Sequence, residues 1–372
     1  MLYDAGVGRR AHGSRRGSHA ARRVVAGTAR VARGCRPASE GWNGGVSAVD
    51  LRIAPLLDCG SDGIAALVAA AGVSRFLGEE PYAGDTRYQY LVTRILADAE
   101  RDDAVALGAL ADGVLAGLLV LRFPEWDRKH FGFVVARVEH LQGANPQVLE
   151  ALVKCAMDGL RMRGATMCSA RLSGDALPAL HLLEARGFRF QELTLSPWRD
   201  LGAWERKAFG VTRATVPADL PSITCIARRA FRTDRFHRDQ GFSPESADAV
   251  YEKWVTTWHE HVSPDRHSLV LEADGRVAGF FMLESLYPRG VRRDGVASLV
   301  LDAVDPDVAG RGNGYRMYCD VLDAASGFAR YASVVVAAAN VAALSLFMKL
   351  GFRVTSSGEV TLHWWSDRTK GE

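Results

Sequence analysis

Long apolar runs and paired cysteines are both missing from this chain of 372 residues. No hydrophobic stretch approaches the roughly 18 residues of a membrane-spanning helix, so we expect no membrane segment. The six cysteines are scattered without CxxC spacing, which argues against a zinc site and against a disulfide framework. His259 and His261 do not supply a metal site either, because residues two apart do not share a helix face. These absences predict a cytoplasmic protein without a metal.

A basic surface is also lacking once the N-terminal segment is set aside. Residues 1–48 contain nine arginines and two acidic residues, a local charge of +7, whereas the whole chain carries +3. The rest of the chain is therefore at about −4, which argues against a body that binds nucleic acid. The segment has no apolar pattern, so we expect residues 1–48 to be a disordered Arg/Gly/Ala-rich leader. A targeting segment and a basic interaction tail are the alternatives.

An internal repeat organises the remaining sequence. Residues 112–119 (DGVLAGLL) match residues 274–281 (DGRVAGFF) at an offset of 162 residues, from Asp112 to Asp274. A second match, of residues 180–189 with 344–353, has an offset of 164 residues, from Gly187 to Gly351. Two separate matches at nearly one offset imply two copies of one fold.

Each copy alternates strands with helices. The Asp-Gly pair in each match is a tight-turn signal between two apolar runs and predicts a β-hairpin. In the second copy the later patterns predict a strand, a helix, a strand and a helix, at 297–304, 314–329, 333–339 and 342–350. We therefore expect an α/β fold with two domains in tandem, at residues 49–203 and 209–368.

The loop after the predicted strand 297–304 is rich in glycine. Gly310, Gly312 and Gly314 let the backbone approach a ligand closely. The first turn of the next helix presents unpaired N–H groups, with the positive end of the helix dipole behind them. Such a loop can bind a pyrophosphate without many cationic side chains. A glycine-rich loop taken alone is as readily an ordinary connection.

Two motifs of the second copy resemble the GNAT superfamily of N-acetyltransferases. The family's loop reads Arg/Gln-x-x-Gly-x-Gly/Ala after a strand that ends in Val-x-Pro, and four residues match it: Val304, Pro306, Gly312 and Gly314. The family's downstream motif is Asn-x-x-Ala-x-x-x-Tyr-x-x-x-Gly-Phe, and four residues match it: Asn340, Ala343, Gly351 and Phe352. The order of the two motifs is also that of the family.

The resemblance implies an enzyme with two GNAT-like domains, each a mixed, mostly antiparallel sheet with flanking helices and a splayed pair of parallel strands. Acetyl-CoA, the cosubstrate, lies between the splayed strands in that family. The contacts that this implies come from the strand end, the loop and the two helices: Ala303, Val304, Ala309, Gly310, Arg311, Gly312, Asn313, Gly314, Tyr315, Asn340 and Phe347.

The chain departs from the family's pattern at two positions. Ala309 stands where the family usually has Arg or Gln, and Phe347 stands where many members have a tyrosine that protonates the leaving thiolate. A phenyl ring cannot donate a proton. Either the thiolate leaves without an acid, or another residue has taken that role, for which Tyr318 and Tyr315 are the nearest candidates.

The first copy lacks the glycine loop. Residues 145–150 (NPQVLE) occupy the corresponding position and contain no glycine, and Leu183 stands at the position of Phe347. We therefore expect residues 49–203 to form a degenerate GNAT-like domain without a pyrophosphate loop, and residues 209–368 to form the catalytic domain.

Acetyl transfer to an amine needs a base, because the amine must be neutral before it attacks. Strand alternation places Ser298 and Asp302 on one face unless a bulge intervenes, and in the family the base often comes from this strand. Asp302 and Glu284 are the nearest carboxylates, and Ser298 could orient a water. His237 is a further candidate, since a neutral imidazole accepts a proton near pH 7. A purely structural role is the alternative for each.

Two further segments resemble the two-part TDP-fucosamine acetyltransferase group of amino-sugar N-acetyltransferases. They are residues 123–133 and residues 236–239 with the aromatic residues downstream, although the first could equally be a core aromatic patch. The resemblance implies an amino-sugar acceptor, either nucleotide-linked or a natural product. A protein or peptide N-acetyltransferase and a coenzyme-binding module without turnover are the alternatives. The sequence leaves the oligomeric state open, a homodimer included.

Overall fold

A computed structural model describes residues 50–71, 85–286, 295–355 and 357–366. The predicted leader, residues 1–48, lies outside the described residues. The described chain forms two compact units. The first unit comprises residues up to 191 together with 357–366, and the second unit comprises residues 192–355.

The first unit is built on a sheet whose strands lie in the order β1-β2-β3-β4-β5-β14, with β6 next to β14. Its elements are β1 (Leu51–Pro55), α1 (Gly60–Ala71), α2 (Asp85–Ala99), β2 (Ala104–Ala111), β3 (Val114–Arg122), α3 (Glu125–Phe131), β4 (Val135–Gly143), α4 (Pro146–Met162), β5 (Met167–Ser173), α5 (Leu177–Ala185), the start of β6 (Arg189–Leu195) and β14 (Glu359–Trp365). β4 and β5 pair in parallel, and the pairs β1–β2, β2–β3, β3–β4 and β5–β14 are antiparallel.

The second unit has a sheet in the order β7-β12-β11-β10-β9-β8. Its elements are β7 (Trp198–Asp200), β8 (Thr212–Ala214), α6 (Leu220–Ala230), α7 (Arg235–Arg238), α8 (Pro244–Glu260), β9 (Arg266–Ala273), β10 (Arg276–Leu286), β11 (Val296–Val304), α9 (Asn313–Ala325), β12 (Tyr331–Val334), β13 (Val336–Ala337) and α10 (Val341–Lys349). β11 and β12 pair in parallel.

Both predicted hairpins are present. Asp112 and Gly113 join β2 to β3, and Asp274 and Gly275 join β9 to β10. All four turn residues have positive φ, between 48° and 82°. Positive φ at both central residues is the signature of the type I′ turn, which matches the twist of the flanking strands.

Amphipathic helices cover each sheet. On α4, the apolar residues recur at helical spacing and are buried against the first unit's sheet, as with Leu149, Leu152 and Val153. On α9, the residues Met317, Val321 and Leu322 do the same in the second unit. The α/β tandem GNAT-like fold predicted from the sequence is confirmed.

The structure assigns two strands to other units than the predicted domains 49–203 and 209–368 do. β14 pairs with β5 of the first unit over seven residues, from Glu359 opposite Ser173 to Trp365 opposite Met167. β7 pairs with β12 of the second unit. The chain therefore leaves the first unit within β6, and its last strand belongs to the first unit. Sequence matches record the local elements of each copy, whereas the sheet that a terminal strand joins depends on long-range pairing.

No helix among the described residues is long and apolar enough to cross a lipid bilayer. Among the described cysteines, Cys155 is disulfide-bonded. The free thiols are Cys59, Cys168, Cys225 and Cys319.

Candidate active site

β11 and β12 run parallel and then separate. Their Cα pairing extends from Val296 with Tyr331 to Leu299 with Val334. β11 continues to Val304, whereas β13 turns to pair with β6 instead. In the described part of the chain, residues 300–304 thus have no parallel partner strand. The separation leaves a wedge between the two strands, as expected for the splayed pair.

The loop from β11 to α9 leaves a helix end open. Gly310 and Gly312 have φ of +78° and +79°, in the left-handed region, and Gly312 caps α9 without a side-chain hydrogen bond to the first turn. A Cβ added at either glycine would meet no atom within 4 Å. The first-turn N–H groups of α9 therefore lack a side-chain cap and face an unobstructed loop, which is the arrangement that binds an anion.

The side chains around this loop hold its shape. The Asn313 amide donates to the carbonyl of Val308 at 3.1 Å, and Arg311 donates to the carbonyl of Asp307 at 3.4 Å. Ala309 is exposed, so its side chain offers nothing to a ligand beyond a methyl group. Val304 is half-buried against the core of the unit.

Two further predicted coenzyme residues, Tyr315 and Asn340, have structural contacts of their own. Tyr315 on α9 packs edge-on against Phe209 at 6.1 Å between ring centroids, and the Lys349 ammonium lies 4.7 Å from its centroid. The Asn340 side chain caps α10 by accepting from the N–H of Ala343 at 3.1 Å. Asn340 thereby fixes the start of the helix that carries Phe347.

A β-bulge in β11 determines which side chains share a face. β10 residues Met282 and Leu283 lie opposite Leu301 and Leu299, so Val300 is the extra residue. Below the bulge Glu284 lies opposite Ser298, and above it Phe281 lies opposite Asp302. Phe281 belongs to the core under α9 and α10, so Asp302 lies on that face and Ser298 on the other. The expectation that Ser298 and Asp302 share a face, made for a strand without a bulge, does not hold.

Asp302, Tyr318 and Phe347 meet under α9 and α10. The Tyr318 hydroxyl donates to Asp302 Oδ1 at 2.7 Å. The Tyr318 ring packs edge-on against Phe347 and Phe281, at centroid distances of 5.3 and 4.9 Å. Phe347 is only 2% exposed and Asp302 is half-buried. The result is one carboxylate and one phenol in an otherwise aromatic surround, beside the wedge.

This surround changes the acidity of both groups. Burial raises the pKa of Asp302 from its ordinary 3.8 to about 6, with the Tyr318 hydrogen bond acting in the opposite direction. Burial, followed by the nearby Asp302 carboxylate, raises the pKa of Tyr318 well above its ordinary value. Asp302 is therefore a stronger base than a solvated carboxylate, and Tyr318 is a weaker acid than a solvated phenol.

Glu284 and Ser298 lie together on the opposite face of the sheet. Glu284 Oε1 accepts from Arg266 Nε at 3.2 Å, and both side chains are largely enclosed. The Arg266 guanidinium also stacks over the Trp258 ring, 4.6 Å from its centroid. Glu284 is thus held in an ion pair with Arg266.

His237 lies between two carboxylates. Its Nδ1 is 2.6 Å from Asp234 Oδ2, and its Nε2 is 2.9 Å from Asp248 Oδ1. Both ring nitrogens thus have a carboxylate partner, and His237 joins α7 to α8.

The described residues contain no group of three or more His, Cys, Asp and Glu side chains placed to hold a metal ion. Asp305, Arg229 and Arg276 meet at the base of the loop, and no local sequence pattern predicts this cluster. The only local sign is the acidic residue directly before Pro306, since the two arginines come from α6 and β10.

A comparison with curated protein sequences finds no match. Residues 227–352, which run from α6 to the end of the second motif, match the sequence profile of the acetyltransferase (GNAT) family.

Two solved structures resemble the whole fold. One is a tandem GNAT protein from the clavulanic acid biosynthesis pathway, determined without acetyl-CoA. It has a TM-score of 0.52 and 15% identity, over 85% of this chain and 98% of the other. The second is a GCN5-related N-acetyltransferase from Sphaerobacter thermophilus, with a TM-score of 0.54 and 17% identity, over 85% of this chain and 94% of the other. At these identities the likeness shows the fold.

The match over residues 227–352 and the open loop coincide in the second unit. These comparisons confirm the predicted tandem GNAT fold, and the match to the GNAT family profile lies within the second unit.

Proposed function

We propose that the second unit transfers an acetyl group from acetyl-CoA to the primary amine of a small molecule, by direct attack in a ternary complex. The observation that carries the proposal is the uncapped N-terminus of α9 behind the open glycine loop, at the end of the wedge between β11 and β12. The loop amides bind the pyrophosphate, and the wedge holds the pantetheine arm.

In this proposal Asp302 is the general base. The amine nitrogen attacks the thioester carbonyl, the C–N bond forms, the C–S bond breaks, and the amine proton passes to the Asp302 carboxylate, directly or through water. The raised pKa of about 6 supports this assignment, because a base works best when its pKa lies near the working pH. The ion pair of Glu284 and the two carboxylates around His237 make those candidates less suitable.

The coenzyme thiolate leaves without a strong acid in this mechanism. Phe347 has no proton to give. Tyr318 already donates its proton to Asp302, and its raised pKa opposes the loss of that proton. A thiol has a pKa of about 8.5, so the thiolate is a tolerable leaving group near neutral pH.

We further propose that the first unit binds no coenzyme and that the acceptor is an amino sugar, nucleotide-linked or a natural product, acetylated in the cytoplasm. The support for the acceptor is the resemblance of residues 123–133 and 236–239 to amino-sugar N-acetyltransferases. The alternatives are a peptide acceptor and coenzyme binding without turnover, and the test below distinguishes both from an amino-sugar acceptor. A homodimer is compatible with each of these.

The test measures free thiol released from acetyl-CoA by the full chain, against a panel of amino sugars and a panel of peptides with free N-termini. We expect sugar-dependent release and a product heavier by one acetyl group. Release only with peptides would show that the acceptor is a peptide amine and not an amino sugar. Tight coenzyme binding without any release would show a binding module.

A further inference from the structure

Asp305, directly after β11, is a buried carboxylate with an unusual number of partners. It is 3% exposed. Its Oδ2 accepts from Arg276 at 2.9 Å, and its Oδ1 accepts from the N–H of Asp307 at 3.1 Å and from Arg229 at 3.4 Å. Its own N–H donates to the carbonyl of Ala278 at 2.8 Å. The residue therefore ties the start of the loop to β10 and to α6.

The two arginines come from different elements. Arg229 lies in the last turn of α6 and also donates to Asp307 in the loop at 2.9 Å. Arg276 is the first residue of β10, after the hairpin turn. Both guanidinium side chains stay partly exposed, at 43% and 48%. They place two positive charges at the base of a loop whose backbone is open to an anion.

Asp305 stays ionised in this setting. Burial by itself raises the pKa of the carboxyl, but the Asp307 N–H and the Arg276 guanidinium bring the pKa below its ordinary value. The contacts of a fixed carboxylate thus persist across the neutral range.

We propose that Asp305 is the positioning residue of the loop, which it holds through Arg229 and Arg276 in the shape that binds the phosphates of the coenzyme. This inference rests on the proposed function. Apart from the contacts of Asn313 and Arg311 with loop carbonyls, the loop has few side-chain constraints, because Gly310 and Gly312 have no side chain. Fixing the loop in advance lowers the ordering cost of binding, so the effect should fall on coenzyme affinity.

The first unit lacks these groups. By the repeat, Val114 stands where the second unit has Arg276, and it is 71% exposed beside the matching hairpin turn. Ala144 stands where the second unit has Asp305, since its N–H donates to the carbonyl of Ala116 at 2.8 Å just as the N–H of Asp305 donates to that of Ala278. The ion-paired anchor is therefore specific to the unit that has the open loop.

The test uses the full chain with the isosteric variant Asp305→Asn. We expect the Kd for coenzyme A and the KM for acetyl-CoA to rise about tenfold, because the charge pairs that fix the loop are lost while the size of the residue is kept. kcat should change less than threefold, since Asp305 does not touch the reacting atoms. Calorimetric titration with coenzyme A and steady-state kinetics give the two readings.

Asp219→Asn is the matched control. Asp219 is 5% exposed and pairs with Arg213 through both of its oxygens, at 2.7 and 3.0 Å, as part of a turn outside the loop. The control variant should lose thermal stability and keep the Kd for coenzyme A. If Asp305→Asn behaves like the control, with a lower melting temperature and an unchanged Kd, Asp305 is structural and the proposal is wrong.

Arg276→Val covers the case in which Asp305→Asn does not fold. It copies the exposed valine of the first unit onto a half-exposed position, so folding should survive. We expect a three- to fivefold rise in the Kd for coenzyme A, and an unchanged Kd would overturn the proposal. If the unaltered chain binds no coenzyme A at all, the proposed function fails. If it binds but both variants bind equally well, only the role of Asp305 fails.

Discussion

The helix that follows the central parallel strand begins differently in the two units. In the first unit the Asn145 side chain caps α4 by accepting from the N–H of Val148 at 2.9 Å, and Pro146, which has no N–H, occupies the first turn. In the second unit Gly312 caps α9 without any side-chain hydrogen bond. One helix end has a side-chain cap, and the other has none. In the proposed function, only the uncapped end binds an anion.

The central strand shows a second contrast. Both units carry a bulge at the matching place, at Glu139 in β4 and at Val300 in β11. After the bulge, Leu141 lies opposite Leu119 in the first unit, whereas Asp302 lies opposite Phe281 in the second. The same backbone therefore presents an apolar side chain in one unit and a carboxylate in the other.

The largest effect should come from closing the open helix end. Gly312→Asp places a carboxylate where the pyrophosphate meets the loop, so we expect coenzyme affinity to fall more than a hundredfold. Asp112 and Asp274 already adopt positive φ in this chain, so aspartate tolerates the backbone at φ +79°. Gln147→Asp, in the exposed first turn of α4, is the control and should leave the Kd unchanged. Equal losses in the two variants would contradict a single coenzyme site in the second unit.

Asp302→Asn should lower kcat about a hundredfold, since general-base catalysis is commonly worth 10²–10⁴. Although its kcat falls, the variant should be more stable than the unaltered chain at high pH. The folded pKa of about 6 lies above the ordinary 3.8, so the ionised carboxylate costs stability as the pH rises from about 4 through 6. The variant has no such cost and should be more stable than the unaltered chain at pH 8, by up to about 3 kcal/mol, but not at pH 4.

Denaturant unfolding of both proteins at the two pH values measures this difference. A variant that keeps full activity, or that is less stable at pH 8, would rule out Asp302 as the buried base.

His140→Leu should destabilise the first unit by about 2 kcal/mol at pH 7. His140 Nε2 lies 2.9 Å from Asp98 Oδ2, and Asp98 is only 8% exposed. Burial raises the pKa of Asp98, but the contact with His140 and the charges of Arg94 and Arg122 together lower the pKa below its ordinary value. The pair therefore stabilises the fold above pH 4, and this stability disappears as the pH falls through the lowered pKa.

The leucine in this variant copies the second unit. There Leu301 lies opposite Met282, at the place where His140 lies opposite Val120 in the first unit. Urea unfolding at pH 7 and across the acid range below pH 4 provides the measurement. The double variant Asp98→Ala/His140→Leu should recover part of the loss. An undiminished loss would mean that the cost is one of packing rather than of an unpaired carboxylate.

Asn145→Ala should cost about 1 kcal/mol, the usual value of a lost helix cap, and should leave the KM for acetyl-CoA unchanged. The measurements are thermal unfolding and steady-state kinetics. A changed KM would show that the capped helix end of the first unit also takes part in coenzyme binding.

Phe347→Tyr should have the smallest effect on turnover. The ring position is already filled, so the added hydroxyl should keep kcat within about threefold or raise it, while the buried polar atom lowers stability by about 1 kcal/mol. Tyr318→Phe is the comparison, and we expect less than a tenfold loss of kcat there. A hundredfold loss in a Tyr318→Phe protein that still binds coenzyme normally would identify Tyr318 as the acid.

Much of the fold follows from local patterns. The Asp-Gly turns predict both hairpins, because a two-residue turn and its flanking apolar runs lie within a few residues. The predicted helix at 342–350 is observed as Val341–Lys349. The helix predicted at 314–329 ends four residues earlier, at Ala325, because the last predicted turn instead leads back to the sheet.

The amino-acid sequence by itself determined the repeat, the α/β class and the glycine loop at a helix start, because each depends on residues close together in the chain. Only the tertiary structure decided which charged side chains each carboxylate and histidine contacts. The bulge at Val300 moves Asp302 to the face of Tyr318, and two carboxylates enclose His237. Arg229 and Arg276 reach Asp305 from 76 and 29 residues away. Burial and pairing of charges arise from contacts between distant segments, and local spacing does not encode them.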